Sequence, residues 1–246
     1  MSLHPSSRTP PLRDWIHQIA FLTSAARGAD LPAIGAGEVA IAGRSNAGKS
    51  SALNLICNRR RLAFSSKTPG RTQLMNVFSL NDSSGEVGRL VDLPGYGYAA
   101  VDRATKSRWQ AELATFLASR VSLVGLIVVM DIRHPFGPLD QQLLEWFGRR
   151  QQPVHILLTK ADKLTRNDQA RTLATAKKIV LDHQRDWGGQ VEVSLFSATA
   201  RMGRDTVLEK IGQWWGLASS DSSPAMPADD LGAKKNPAKG SPGGNA

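Results

Sequence analysis

The feature that most constrains this sequence is a glycine-rich segment at residues 43–50, which follows an apolar run and precedes a helical pattern. We call this segment the phosphate-binding loop; it fits G-x-x-x-x-G-K-[ST], and its members are Gly43, Arg44, Ser45, Asn46, Ala47, Gly48, Lys49 and Ser50. Glycines let consecutive backbone N–H groups face a phosphate, and the start of a helix adds positive potential. A chance glycine turn is the alternative, but roughly one random chain in a hundred would match the pattern, and fewer in this context. The segment therefore predicts a nucleotide site, with Lys49 on the phosphates and the Ser50 hydroxyl on Mg²⁺.

Short apolar runs alternate with longer amphipathic stretches along the rest of the chain. The candidate strands are residues 39–42, 74–80, 87–91, 123–130, 154–158 and 191–196, and the candidate helices are residues 48–57, 102–119, 138–150, 166–185 and 204–215. Several runs are continuously apolar, which is typical of parallel strands buried on both faces. The polar turn at 81–85 predicts a hairpin. We therefore predict an α/β fold, a three-layer P-loop NTPase with a mostly parallel six-stranded sheet, one antiparallel strand and helices on both faces.

Composition divides the 246 residues into three parts. In residues 1–37, Trp15, Ile19 and Leu22 recur at helical spacing and predict one amphipathic helix that packs on the domain. Residues 38–215 form the predicted domain; they contain 25 basic and 16 acidic residues, a net charge of +9 out of +10 for the chain. Residues 216–246 contain no aromatic residue and nine glycines or prolines, so we expect a disordered tail.

Composition also excludes several classes of protein. A single cysteine, Cys57, cannot form a disulfide framework or a thiolate zinc cluster. The longest strongly apolar stretch, 123–130, is too short to span a membrane, and the first thirty residues lack a secretory signal. We therefore expect a cytoplasmic protein, acting as a monomer. The basic domain favours an anionic partner such as a nucleic acid, although such charge also serves solubility.

A phosphate-binding loop does not select the base, but residues 159–162 after a later apolar strand do. A carboxylate there accepts two hydrogen bonds from guanine N1–H and the N2 amino group, which adenine does not offer, while a lysine stem lies along the base. The residues concerned are Thr159, Lys160, Ala161 and Asp162. The loop after the next strand suits guanine O6; its predicted binding residues are Phe196, Ser197 and Ala198.

Two segments between these motifs are predicted to contact the γ-phosphate. At the end of one strand, Asp92 is expected to hold Mg²⁺ through water and the Gly95 N–H to contact the phosphate; Leu93 and Pro94 lie between them. In the preceding polar segment, Thr72 is expected to ligate Mg²⁺ when a γ-phosphate is present. Ordinary turn chemistry is the alternative for both. The predicted binding residues of the polar segment are Gly70, Arg71, Thr72, Gln73 and Leu74.

This ordered set of motifs resembles that of Ras-like GTPases, and the flanking residues narrow the resemblance. The segments EVAIAGRSN at 38–46, TPGRTQ at 68–73, DLPGYGYA at 92–99 and TKADKL at 159–164 resemble the bacterial EngB (YihA/YsxC) family of GTP-binding proteins. The resemblance covers about residues 15–215. It implies a Ras-like G domain that hydrolyses GTP with Mg²⁺, assists assembly of the large ribosomal subunit and is needed for normal cell division and septation. Its implied partners are GTP, GDP and a large-subunit precursor with its ribosomal RNA and proteins.

The resemblance also implies roles for single residues. Lys49, Thr72 and Gly95 are the catalytic residues that it assigns. Tyr96 follows Gly95, where Ras-like proteins have a glutamine that positions the attacking water, so we expect slow intrinsic hydrolysis. Asn46 matches the asparagine with which related GTPases hold K⁺; an asparagine that merely tolerates an unusual dihedral angle is the alternative.

Several alternatives stay open at this level. The chain is either a GTP-gated assembly factor or a guanine-nucleotide-binding scaffold at the division site that does not depend on turnover; a kinase is a third reading, which a preference for ATP would support. The arginines at 59–61 and 149–150 are either solvated helix ends or contacts to ribosomal RNA phosphates. Helix packing is the expected role of the tryptophans, namely Trp109, Trp146, Trp214 and Trp215.

Overall fold

A computed structural model describes residues 10–63, 74–97, 103–188 and 190–217 of the chain. Its centre is a seven-stranded sheet in the order β1-β3-β4-β2-β5-β6-β7. The strands are β1 (Ala20–Ala25), β2 (Glu38–Gly43), β3 (Met75–Asp82), β4 (Gly85–Asp92), β5 (Leu123–Asp131), β6 (Val154–Thr159) and β7 (Val191–Leu195). β3 is antiparallel to both of its neighbours and every other pairing is parallel, so six strands run in one direction. The predicted α/β class and its single antiparallel strand are confirmed.

The helices form a layer on each face of the sheet. They are α1 (Leu12–Trp15), α2 (Lys49–Ile56), α3 (Arg103–Ser119), α4 (Pro138–Gly148), α5 (Arg166–Asp182), α6 (Gln184–Trp187) and α7 (Arg204–Trp214). One buried cluster joins the sheet to α1, α2 and α7, and the other joins it to α3, α4, α5 and α6. Every residue of β2 and β6 is buried, because both strands are covered on both faces.

The prediction of one amphipathic helix near the N-terminus is wrong, and so is the count of six strands. Among the described residues before β1, the helical ones are the four of α1 and the 3-10 turn Ile16–Gln18; β1 follows and pairs with β3. Trp15 and Ile19 are buried as the spacing suggests, but Leu22 is 44% exposed on the edge strand. Three apolar residues at that spacing describe barely two turns, and hydrogen bonds to an exposed sheet edge outweigh so weak a helical pattern.

The hairpin between β3 and β4 is confirmed. Asp82 accepts hydrogen bonds through its Oδ1 from the backbone N (2.7 Å) and the hydroxyl (2.6 Å) of Ser84. Gly85 has a φ of +127°, which a glycine adopts without steric cost. The turn thus places the C-terminal end of β4, and with it Asp92, beside the C-terminal end of β2.

The five helices predicted between residues 48 and 215 are confirmed, with one of them divided in two and with small shifts at their ends. The stretch predicted as 166–185 is divided at His183 into α5 and α6. The N-terminus of α5 is capped by Thr165, whose hydroxyl accepts a hydrogen bond from Asp168 N. No helix in the described parts of the chain is long and apolar enough to cross a membrane.

Candidate nucleotide-binding site

The phosphate-binding loop runs from the last residue of β2 to the first turn of α2. Gly48 has a φ of +97° and Asn46 a φ of +64°, so the loop turns through two left-handed residues before Lys49 begins the helix. A Cβ on Gly43 would lie 2.8 Å from the carbonyl oxygen of Val129 in β5, so this position accepts only glycine without a shift of the backbone. No side chain of the described residues caps the start of α2, and the uncapped start of a helix suits an anion.

The end of β4 is joined to this loop by backbone hydrogen bonds. Ser45 N donates to Tyr96 O over 2.8 Å, and Tyr96 N donates to Gly43 O over 3.2 Å. The Lys49 ammonium donates to Asp92 Oδ1, and the two side chains are only 11% and 8% exposed. The structure therefore brings together two residues that are 43 positions apart, as the sequence predicts for a phosphate lysine and a metal-associated carboxylate.

The segment 159–162 also contacts the phosphate-binding loop. The Thr159 hydroxyl, at the end of β6, lies 2.5 Å from Ala47 O and 3.0 Å from Met130 O. Lys160 adopts a φ of +59° and donates from Nζ to Asn46 O over 2.7 Å. Residues 159–162 and the phosphate-binding loop are thus held in a fixed relation.

Asp131 at the end of β5 anchors Lys160, a contact that the sequence analysis missed. Its Oδ2 lies 2.9 Å from Lys160 Nζ and 2.6 Å from Arg133 Nη2. Hydrogen bonding from Arg133, followed by that from Lys160, holds the pKa of this carboxyl well below its usual range. Asp131 lies beside Lys160 because β5 and β6 pair with Asp131 opposite Thr159, and the sequence of either strand alone does not show this register.

Asp162 is oriented by the next loop. The Ser197 hydroxyl donates to Asp162 Oδ1 over 2.5 Å and accepts from Ala200 N over 3.0 Å, and Ala161 N donates to Phe196 O over 3.1 Å. The hydrogen bond from Ser197 is the main reason why the pKa of Asp162 is lowered. The carboxyl is therefore ionised at neutral pH and accepts hydrogen bonds, which is the chemistry that a guanine edge requires.

Tyr96, which follows Gly95, does not extend into solvent; it is buried in the cluster that includes residues of α3 and α4. Its hydroxyl donates to Asp140 Oδ1 over 2.7 Å, while Asp140 Oδ2 accepts from Gly137 N over 2.9 Å at the start of α4. Burial raises the pKa of both side chains. The role of Asp140 was missed, although Pro138 followed by an acid in the first turn is a recognisable helix-start pattern.

The described residues include most of the predicted site. Asp92, Leu93 and Pro94 are buried at the end of β4, and Leu74 lies one residue before β3. The predictions on the polar segment before β3 lie outside the described residues, namely those on Gly70, Arg71, Thr72 and Gln73.

The donor set fits Mg²⁺. Ser50 follows Lys49 in the first turn of α2, and Asp92 accepts a hydrogen bond from the Lys49 ammonium, so this part of the chain offers one hydroxyl and one carboxylate as oxygen ligands. Mg²⁺ prefers oxygen ligands and retains waters, and it is bound through one or two protein oxygens together with nucleotide phosphates. The described residues contain no cluster of three acidic, histidine or cysteine side chains that could hold a metal alone. Such a site fits a metal that arrives with its nucleotide.

Comparisons with known proteins agree with this geometry. Residues 38–160 match the family model of the 50S ribosome-binding GTPase. The chain is 47% identical over 226 residues to the probable GTP-binding protein EngB of Ralstonia nicotianae, covering 90% of this chain and 95% of that protein. It is 50% identical over 201 residues to the probable EngB of Burkholderia multivorans, covering 81% and 91%.

Solved structures show the same fold. A crystal structure of a probable GTP-binding protein engB superposes with a TM-score of 0.55 at 17% identity, covering 74% of this chain and all of that one. Era in complex with MgGDPNP and nucleotides of 16S ribosomal RNA superposes with a TM-score of 0.57 at 20% identity, covering 78% and 60%.

The fold, the phosphate-binding loop and these matches define a P-loop GTPase, an enzyme that hydrolyses GTP to GDP and phosphate. Within that class, the chain belongs to the EngB family of GTP-binding proteins.

Proposed function

We propose that this GTPase is a nucleotide-gated switch in assembly of the large ribosomal subunit, acting in the cytoplasm and needed for normal cell division and septation. The observation that carries the proposal is the set of contacts that join three motifs into one site: Lys49 with Asp92, and Lys160 with Asn46. A site assembled in this way transmits the state of its nucleotide to the loops around it. The family model is described as a ribosome-binding GTPase, which supports the large subunit as the partner.

Each part of the site has a proposed task. The backbone of the phosphate-binding loop and Lys49 hold the β- and γ-phosphates, and Gly95 N–H contacts the γ-phosphate. Ser50 and Thr72 would hold Mg²⁺, with Asp92 acting through water, and the ion would supply neutralisation of charge on the phosphates.

Asp162 is proposed to select guanine. Its ionised carboxylate accepts the guanine N1–H and N2 amino hydrogens, and Ser197 fixes its orientation. The Lys160 stem lies beside the base while its ammonium stays on Asn46 O and Asp131. The loop of Phe196, Ser197 and Ala198 contacts guanine O6 through its backbone.

Intrinsic turnover is proposed to be slow. The Tyr96 hydroxyl donates to Asp140 and the ring is buried, so this side chain does not replace the glutamine that orients water in Ras-like proteins. We expect a partner or an ion to complete the site. A single-turnover rate equal to that of a fully activated GTPase, measured without any partner, would contradict this.

Potassium is the ion that we propose for this role, at Asn46. The left-handed backbone of Asn46 also suits the alternative, in which the asparagine only tolerates the turn, and the geometry is compatible with both roles. Turnover measured in KCl and in NaCl separates them. We expect faster hydrolysis in KCl, and equal rates would leave Asn46 with the conformational role alone.

The proposed function is tested by sedimenting the full chain with ribosomal particles through a density gradient. We expect co-migration with the large subunit or its precursor in the presence of a non-hydrolysable GTP analogue, and its loss with GDP. Lys49→Met is expected to abolish co-migration, whereas Lys177→Met, on the exposed side of α5, preserves it. Absence of nucleotide-dependent co-migration would favour the alternative, a scaffold at the division site that does not depend on turnover.

A further inference from the structure

One surface of the molecule, formed by α1, the end of α2 and the start of α7, concentrates arginine side chains. We call it the arginine surface. It lies on the face of the sheet opposite α5, because α1, α2 and α7 share one buried cluster and α5 belongs to the other. Its members are Arg13, Arg59, Arg60, Arg61, Arg201 and Arg204.

Hydrogen bonds place two of these arginines, Arg201 and Arg204, against the end of α2 and α1. Arg204 donates from Nε to Leu55 O over 3.0 Å, at the end of α2, and from Nη2 to Arg13 O over 3.3 Å. Arg201 Nη2 lies 3.4 Å from Asn58 Oδ1, and Arg59 follows Asn58 in the chain. The cluster is therefore built from separate segments that the fold brings together, and it is not a single charged helix end.

Little negative charge offsets this cluster. Among the described residues, four of its arginines form no ion pair with a carboxylate, namely Arg59, Arg60, Arg61 and Arg201. Arg13 and Arg204 each lie near the aspartate that follows them, at 3.9 Å and 3.6 Å. By contrast, Arg27, Arg133 and Arg171 elsewhere on the surface are each paired at 2.8 Å or less. Six arginines against two aspartates leave a strong local excess of positive charge.

A cleft of about 320 Å³ opens within the arginine surface. It is lined by Arg201, Gly203, Arg204, Asp205 and Thr206. Carbonyl oxygens hold the Arg204 guanidinium, whose side chain is 15% exposed, in one orientation. A guanidinium has five N–H donors in a fixed fork, so a guanidinium that donates to two carbonyl oxygens retains further donors for the oxygens of a phosphate.

We propose that the arginine surface binds the phosphodiester backbone of folded RNA. The inference rests on the proposed function, since a ribosomal precursor supplies such RNA. Guanidinium groups spread over three elements match a series of phosphates along a groove of RNA. A single small anion would contact only the cleft, so the extent of the surface favours RNA. Contacts of this kind position a protein on RNA without reading its sequence.

Paired glutamine substitutions test this surface. Arg60→Gln/Arg61→Gln removes two exposed charges from it, and Lys177→Gln/Lys178→Gln removes two exposed charges from α5 as the matched control. The probe is a 20-base-pair RNA duplex of arbitrary sequence, titrated at several salt concentrations in the presence of a GTP analogue. We expect the arginine variant to bind roughly tenfold more weakly and the slope of log K against log salt to fall by about 2. The lysine variant should behave as wild type.

Equal affinity and equal salt slope in the two variants would overturn the proposal. Guanine nucleotide affinity, measured on each variant, confirms that the site and the fold are intact. If the arginine variant fails to sediment with large-subunit particles yet binds the duplex as wild type does, the surface contacts a protein and the proposal is also wrong. If wild type binds the duplex through these arginines but never sediments with particles, the RNA surface stands and the proposed function fails.

Discussion

At the scale of single residues, the base-recognition site depends on one hydroxyl that touches no nucleotide atom in the proposed arrangement. Ser197 is fully buried and fixes Asp162 through a 2.5 Å hydrogen bond. Ser197→Ala leaves the carboxylate in place but free to rotate, so we expect GTP and GDP affinity to fall roughly tenfold. Ser194→Ala, two residues into β7 from the same loop, is the matched control, because Ser194 contacts His155 instead. Equal nucleotide affinities for the two variants in a fluorescence titration would show that Ser197 does not orient Asp162.

His155 gives the fold a pH dependence. Burial lowers its pKa from 6.5 to about 4, and its Nε2 lies 2.8 Å from the Ser194 hydroxyl. Between these two pKa values the unfolded chain binds a proton that the folded chain excludes, so stability falls as the pH drops. We expect the free energy of unfolding to decrease by up to about 2 kcal/mol from pH 7.5 to pH 5.

Urea denaturation at several pH values measures this effect. His155→Gln should remove most of the slope, and His134→Gln, at an exposed position, should retain it. Carboxylates whose pKa is lowered in the fold, such as Asp131 and Glu86, lose their contribution only at lower pH. A slope that survives in the His155 variant would contradict the assignment.

At the scale of elements, Tyr96 joins the loop after β4 to the start of α4. The hydroxyl and Asp140 are both buried, and truncation of either leaves the other without that partner. We expect Tyr96→Phe to destabilise the fold by about 1–3 kcal/mol. A double-mutant cycle with Asp140→Ala should give a coupling energy of at least about 1 kcal/mol. Additive effects on the free energy of unfolding would mean that the two elements are not coupled through this bond.

Elements differ in how well the sequence predicts them. The phosphate-binding loop follows from its own residues, because Asn46 and Gly48 adopt the left-handed backbone that these residue types favour. β1 cannot be predicted in this way, since its hydrogen bonds come from β3, fifty or more residues away in the chain. The contact between Lys160 and Asp131 cannot be predicted locally either. The register of β5 against β6 brings Asp131 to Lys160, and no local pattern contains that information.

The arginines show the same contrast. Arg150 donates to three carbonyl oxygens near the end of α3, among them Ala118 O at 3.0 Å, so its role in the structure is to hold that end. Arg60 and Arg61 make no such contacts among the described residues and stay exposed. The arginine runs at 59–61 and 149–150 look alike in sequence. Only tertiary packing distinguishes a structural arginine from one that is available to a partner.

At the scale of the whole molecule, the proposed function couples one nucleotide site to one binding event. Nearly all of the net charge, +9 of +10, belongs to residues 38–215, and five of the six arginines of the arginine surface lie in that range. A switch of this kind requires that the base read by Asp162 controls attachment to the partner.

The most direct test exchanges the base and reads out attachment. Asp162→Asn reverses the hydrogen-bonding character of one position, so the variant should lose guanine affinity by roughly a hundredfold and accept xanthine nucleotides. In a density gradient we predict that wild type co-migrates with large-subunit particles with a GTP analogue, and the variant only with the corresponding xanthosine analogue. Co-migration of the variant with the GTP analogue at wild-type concentrations would contradict the account.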